Sequence, residues 1–324
     1  MPPSSAADEV QSIVDTLHTQ YCSLDDGEVA TYIPELAKAD PDRFGVSVVT
    51  TEGRVFEAGD CEQPFTIQSV SKPFTFGIAL EEAGQAKVSS YVGVEPSGDA
   101  FNSIELQAGT NRPFNPMVNS GAIAITALLH AQFGEATIDC ILDRFSTLAG
   151  RMLAIDEDVY ASERRTGHRN RAIAHLLVNF GMLQSEAEAA LDVYFKQCAI
   201  QVTCRDLAMM AASLSNMGRH PITGRIAYDP AVVKDMLSIM FTCGMYDYSG
   251  QWAYRVGVPA KSGVGGGILA VVNRQLGIGT YSPRLDKFGN SRRGVEVCVQ
   301  LAARLGLHVF DCLNSGSSYL SAIL

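Results

Sequence analysis

The stretch Gly45–Gly59, GVSVVTTEGRVFEAG, decides how the rest of the chain is read. Two arms rich in β-branched residues flank a Thr-Glu-Gly turn, the pattern of a β-hairpin. Strand character returns only late, where GVPAKSGVGGGILAVV (Gly257–Val272) and QLGIGTYSP (Gln275–Pro283) predict a second hairpin. Between them, from Lys72 to about Asn216, the pattern is helical, with Ala-rich runs such as SGAIAITALLHAQFG (Ser120–Gly134) and further periodicity from Ser185 to Phe195. Ahead of the first hairpin, Asp8–Tyr21 places Val10, Ile13, Val14, Leu17 and Tyr21 on one helical face. RRGVEVCVQLAARLG (Arg292–Gly306) predicts a closing helix with Gly306 as its C-cap. Strands at both ends bracketing a helical insertion predict an α+β fold, with one antiparallel sheet built from both chain ends and flanked by helices. On this reading residues 1–324 form a single domain, with a sheet part over about 1–68 and 220–324 and a helical part over about 69–219. The cleft between them is the natural place for a site.

Bulk properties narrow the function. Net charge is -10 with a pI near 5.1, and nothing suggests the basic stripe that phosphate neutralisation needs, so nucleic acid is not an expected partner. Apolar runs such as GILAVV are too short to cross a bilayer. MPPSSAADEV lacks the basic and apolar regions of a secretory signal, so the chain reads as soluble and cytoplasmic. The 8 cysteines form no C-x-x-C pair, and no histidines stand at ligand spacing. Reduced packing cysteines are expected, with neither a metal nor a cofactor.

Three stretches carry chemistry. In QSVSKPFTFG (Gln68–Gly77), Ser69 and Lys72 stand at i and i+3, so on a helix the hydroxyl and the ammonium share a face. Pro73 suits a first turn, which puts Ser69 at or near a helix N-terminus, where free N–H groups and the dipole favour an oxyanion. A desolvated Lys72 would act as a base; the plainer reading is a serine N-cap beside a solvated lysine. In AKSGVGGG, Lys261-Ser262-Gly263 is the K-[ST]-G type of element that lines serine acyl-enzyme sites, and its glycines let backbone approach a ligand. NPMVNSGAIA brings Asn115 and Asn119, and YASERRTGHRNRAIAHLL brings Glu163 and Asn170 within an Arg/His cluster. Amide side chains can hold an amide or carboxylate, and a glutamate can hold an ammonium. Helix caps for the asparagines and ion pairs between Glu163 and its neighbouring arginines are the alternatives.

Taken in order, YIPELAKADP, QSVSKPF, NPMVNSGAI, SERRTGHRNRAIA, VYFKQCAI, CGMYDYSG and PAKSGVGGGI, spanning Tyr32 to Ile268, closely resemble the serine-dependent glutaminases, enzymes of β-lactamase-like fold. The resemblance implies hydrolysis of L-glutamine to L-glutamate and ammonia through a covalent γ-glutamyl-serine. It implies Ser69 as nucleophile, Lys72 as base and Tyr246 as proton relay, with Lys261 in support. Tyr32, Asn119, Glu163, Asn170 and Tyr194 would hold the substrate, together with Ser69 and Tyr246, and Val264 through its backbone. It also implies a homodimer or homotetramer. The chain has no S-D-N or Y-x-N motif, which weakens the other reading on this fold, a penicillin-interacting hydrolase. A catalytically silent amino-acid sensor is a third reading, disfavoured by the intact set of Ser69, Lys72, Tyr246 and Lys261. Ankyrin repeats or a long tail, found on some animal relatives, are not expected, and phosphate activation is not assumed.

Overall fold

A computed structural model describes residues 6–98, 104–183 and 186–311. Its strands are β1 (Gly45–Thr50), β2 (Val55–Gly59), β3 (Phe65–Thr66), β4 (Gln201–Val202), β5 (Ala260–Ser262), β6 (Gly267–Val272) and β7 (Leu276–Tyr281). Its helices are α1 (Ala6–Tyr21), α2 (Lys72–Ala83), α3 (Gln85–Tyr91), α4 (Asn119–Phe133), α5 (Thr137–Ala149) and α6 (Glu157–Thr166). They continue with α7 (His168–Asn179), α8 (Ala187–Cys198), α9 (Cys204–Ser215), α10 (Pro230–Cys243), α11 (Ser249–Arg255) and α12 (Arg292–Leu305).

Both expected hairpins form. β1 and β2 pair antiparallel around Thr51-Glu52-Gly53, where Gly53 adopts φ +81°, a conformation glycine takes without steric cost. β6 and β7 pair around Asn273-Arg274-Gln275, and β5 extends the edge. The sheet order is β2-β1-β7-β6-β5, so β1 from the first hairpin lies against β7 from the second. Both ends of the chain therefore meet in mid-sheet, as the α+β expectation required. Ser185 and Cys312 lie outside the described residues; the other seven cysteines are free thiols. The expected C-cap holds, with Gly306 left-handed at φ +62°.

Each face of the sheet buries a different layer. Val46, Val48, Ile268, Ala270 and Ile278 pack with Val14 and Leu17 of α1 and Val297 and Leu301 of α12. The opposite face lies under α9, and the alternating glycines of QLGIGTY explain how. A Cβ on Gly277 would stand 2.2 Å from the Ala212 nitrogen, and one on Gly279 would stand 2.3 Å from the Cys204 carbonyl oxygen. Side chains at these positions would push α9 off the sheet. Gly277→Val is therefore expected to destabilise by about 1–3 kcal/mol through overpacking, read as a fall in the thermal melting midpoint. The core under α9 runs on from Leu269 and Val271 of the sheet into the helical layer, where Phe74 of α2 meets Phe145 of α5 edge-on at 5.4 Å between ring centroids. No helix among the described residues is long and apolar enough to cross a membrane.

Candidate active site

The turn that carries Ser69 is built where the short β3–β4 pair ends. The Ile67 N–H donates to the Ile200 carbonyl at 2.8 Å, and the chain then turns sharply at Gln68, whose φ is +48°. Residues Gln68–Ser71 form a 3-10 turn, and α2 begins only at Lys72 with Pro73 in its first turn. Ser69 thus stands near the helix N-terminus but does not cap it: it lies ahead of the helix, and Ser71, at the cap position, makes no capping hydrogen bond. Its hydroxyl donates instead to the Gln68 carbonyl at 2.7 Å. Side chains at i and i+3 eclipse in a 3-10 turn, so Ser69 and Lys72 still face the same way.

Lys72 is not the solvated lysine of the plainer reading. It is 1% exposed, and its ammonium donates to Asn119 Oδ1 at 2.7 Å and to the Met117 carbonyl at 3.2 Å. Burial pushes it down to about 8, against the opposing pull of Cys198 and Glu163. Tyr246, buried with φ +58°, donates its hydroxyl to the Ser262 carbonyl at 3.0 Å and is hydrogen-bonded to Ser69. Burial raises this phenol to about 12, moderated by those two hydrogen bonds. Lys261 lies 4.0 Å from the centre of the Tyr246 ring and donates to the same Ser262 carbonyl at 2.7 Å. Burial, reinforced by the Lys72 charge, holds its ammonium well below the usual lysine range.

The glycine run brings a second backbone strand against this turn. A Cβ on Gly263 would lie 2.9 Å from the Ile67 carbonyl oxygen and 3.4 Å from the Ser69 nitrogen. The next residue, Val264, has no hydrogen-bond partner for its N–H among the described residues. The arrangement presents an unused donor close to the Ser69 amide.

Around these groups lies a cavity of about 220 Å³ lined by Tyr32, Ser69, Asn119, Glu163, Asn170, Tyr194 and Val264. Asn119 is the hub: it accepts from Lys72, donates to Asn170 Oδ1 at 3.0 Å, and lies 3.4 Å from the Tyr194 hydroxyl. It caps no helix. Glu163 is 5% exposed and its Oε2 has no partner among the described residues. Burial raises this carboxyl to about 8, opposed by the Lys72 charge and a hydrogen bond with Gln68. The neighbouring arginines do not neutralise it; Arg164 turns to Asp192 and Arg171 to Glu188. Tyr32 keeps 55% of its surface exposed, yet burial at its hydroxyl end pushes the phenol well above its ordinary range. Tyr246 lines a neighbouring cleft and reaches the cavity through Ser69. Asn115 stays outside, turning back on the Met117 and Val118 amides.

Sequence reasoning missed several lining residues: Ile33, Gln68, Thr166, Gly167, Arg169 and Cys198. Gln68 had a signal, since it precedes the candidate nucleophile. Cys198 sits one helical turn from Tyr194 on α8. Among the described residues, no group of three His, Cys, Asp or Glu side chains is placed to hold a metal ion.

Comparison with known proteins agrees with this geometry. The glutaminase family model matches residues 27–310. Glutaminases of Microcystis aeruginosa and Trichormus variabilis are 57% and 53% identical over 91% and 94% of this chain, and over 87% and 91% of their own lengths. Among solved structures, Mglu in its tris and glutamate form is 45% identical with a TM-score of 0.90, over 93% of this chain and 68% of that one. A probable glutaminase from Bacillus subtilis complexed with 6-diazo-5-oxo-L-norleucine is 35% identical with a TM-score of 0.85, over 96% and 98%. The fold is the serine β-lactamase-like one. A match that covers the sheet, the Ser69 turn and every lining segment of the cavity leaves one conclusion: this chain belongs to the glutaminase family.

Proposed function

We propose that the enzyme hydrolyses the side-chain amide of L-glutamine to L-glutamate and ammonia through a γ-glutamyl-Ser69 ester. The observation that carries this reading is one cavity lined by Ser69 and by Glu163, whose Oε2 is buried without a partner among the described residues, with a buried lysine brought down to about 8 held behind it on the lining Asn119. The lysine activates a nucleophile; the carboxylate oxygen awaits an ammonium.

The α-ammonium of glutamine meets Glu163, and Asn119, Asn170, Tyr194 and Tyr32 hold the rest of the head group. Ser69 Oγ attacks the amide carbon, and its proton moves to Lys72, with Tyr246 relaying it. The tetrahedral oxyanion is held by the N–H groups of Ser69 and Val264. Tyr246 and Lys72 return the proton to the departing ammonia, and water then attacks the ester by the same path in reverse. Lys261 sits against the Tyr246 ring and supports the transient charge of the relay. We assign the enzyme to the cytoplasm as a homodimer or homotetramer, which a sedimentation measurement checks.

Ammonia release from glutamine and from asparagine tests the substrate assignment. Asparagine is one methylene shorter and misplaces its amide by more than about 1 Å, so turnover at least about 100-fold poorer is expected. Equal turnover of the two would refute the proposed pose. The pH dependence follows from the same groups. Lys72 serves as a base only when neutral, and Glu163 holds an ammonium only when ionised. Both conditions are met as pH rises through about 8, so kcat/KM should climb through that value from the acid side. A pH profile measured with Glu163→Gln, which removes one of the two groups, should show a raised KM and a simpler acid limb.

A further inference from the structure

Beneath the cavity lies a second polar layer, which meets the cavity lining at Gln68 and at Cys198. α4 carries Asn119 in the cavity and Thr126 seven residues on; α8 carries Tyr194 in the cavity and Gln197 three residues on. The upper pair meets at Tyr194 and Asn119, and the lower pair meets where the Thr126 hydroxyl, shared with the nearer Ala122 carbonyl at 2.9 Å, reaches Gln197 Oε1 at 3.3 Å. Gln197 Nε2 donates in turn to Ser71 Oγ at 3.0 Å, and Ser71 Oγ donates to the Gln68 carbonyl at 2.7 Å. Gln197, Ser71 and Thr126 are all 0% exposed, so a bond lost between Gln197 and Ser71 is not replaced by one to water, while Thr126 keeps the Ala122 carbonyl.

The end of this chain is the strained residue. Gln68 is a non-glycine at φ +48°, a conformation that persists only where its surroundings over-determine it. Its carbonyl belongs to the peptide that also contains the Ser69 N–H. Rotation of that peptide moves the nucleophile and one oxyanion donor together.

We propose that Gln197 is a positioning residue for Ser69, holding the Gln68–Ser69 peptide in its left-handed orientation through Ser71. The inference rests on Ser69 as the nucleophile of glutamine hydrolysis. It predicts a separation of kinetic constants, because Asn119, Glu163, Asn170 and Tyr194 sit on α4, α6, α7 and α8, and among these only Glu163 is joined to Gln68, through the Gln68 side chain rather than its carbonyl.

The experiment measures ammonia release from glutamine by Gln197→Leu, Ser71→Ala and the double variant, with melting curves for each. Gln197→Leu should lower kcat about 30-fold with KM within about 3-fold of the parent, since a displacement near 1 Å at a reacting atom can cost 100-fold. Ser71→Ala should lose a similar factor, and the double variant should lose no more than Ser71→Ala alone. Gln197→Glu provides the rescue. When protonated it donates to Ser71 and accepts from Thr126 as glutamine does, so kcat should be near normal at low pH relative to the parent. It should collapse as the buried carboxyl ionises, and this variant carries the test should Gln197→Leu not fold. Full kcat in folded Gln197→Leu, multiplicative losses in the double variant, or a Gln197→Glu/parent ratio independent of pH would each overturn the proposal. Absence of glutamine turnover in the parent enzyme would instead refute the functional reading on which it rests.

Discussion

Ser69→Ala is expected to release ammonia from glutamine at least about 10⁴-fold more slowly than the parent enzyme, the scale of loss seen when a covalent nucleophile is removed. Its fold should be intact. Ser69 is 7% exposed, and the alanine removes one hydroxyl without opening a cavity of any size. Tyr246, which loses its hydrogen bond with Ser69, still donates to the Ser262 carbonyl. The stability change should therefore stay within about 1 kcal/mol, the net worth of one such bond. Glutamine should still bind, because Asn119, Glu163, Asn170 and Tyr194 are untouched; calorimetric titration of the inactive variant checks this. Rapid quenching of the parent enzyme, followed by intact-mass measurement, should show one γ-glutamyl group that is absent from the variant. Substantial turnover by Ser69→Ala would end the covalent mechanism.

Lys72→Met should separate activity from stability. Without the base, neutral serine is a poor nucleophile, and activity should fall by at least about 10³-fold. The lysine is an electrostatic burden to the fold, however. An ammonium that is held near 8 in the folded protein and stands at 10.5 when unfolded destabilises by about 3 kcal/mol, at about 1.4 kcal/mol per unit. The unfolded chain binds the extra proton between those two values, so the penalty is full below pH 8 and fades as pH rises towards 10.5. Methionine fills similar volume and removes that penalty, at the cost of leaving Asn119 Oδ1 and the Met117 carbonyl without their donor. The two effects are of similar size, so at pH 7 the melting midpoint should equal or exceed that of the parent. A variant that both loses activity and melts far below the parent would show that Lys72 is retained for packing rather than chemistry.

The two hairpins and the first and last helices were legible from local pattern alone. Alternating β-branched arms, the positive φ of Gly53 and the left-handed cap at Gly306 are decided by residues within a few positions of one another. The glycines of QLGIGTY read only as part of a strand. That they mark the contact with α9 emerges from the packed structure, since Ala208 and Ala212 lie more than sixty residues away in sequence. The detail of the serine turn lay beyond local pattern for a similar reason. S-x-x-K followed by proline suits a capped helix, but the pairing of Ile67 with Ile200 and the glycine wall at Gly263 force the extra 3-10 turn.

The sequence by itself determined the α+β class, the residue types of the site and, through a run of long motifs, the family. Residue type and order suffice for these, because hydrophobic period, turn chemistry and motif spacing are properties of the linear chain. Only the tertiary structure decided how those residues behave. Lys72 is a base candidate rather than a solvated cation because Met117 and Asn119, forty-five and forty-seven positions away, enclose it. Glu163 keeps an unpartnered Oε2, as none of its neighbouring arginines forms an ion pair with it among the described residues; Arg164 and Arg171 pair with Asp192 and Glu188 instead. Desolvation and hydrogen-bond partnership depend on which distant segments come to lie around a group, and the fold alone sets that.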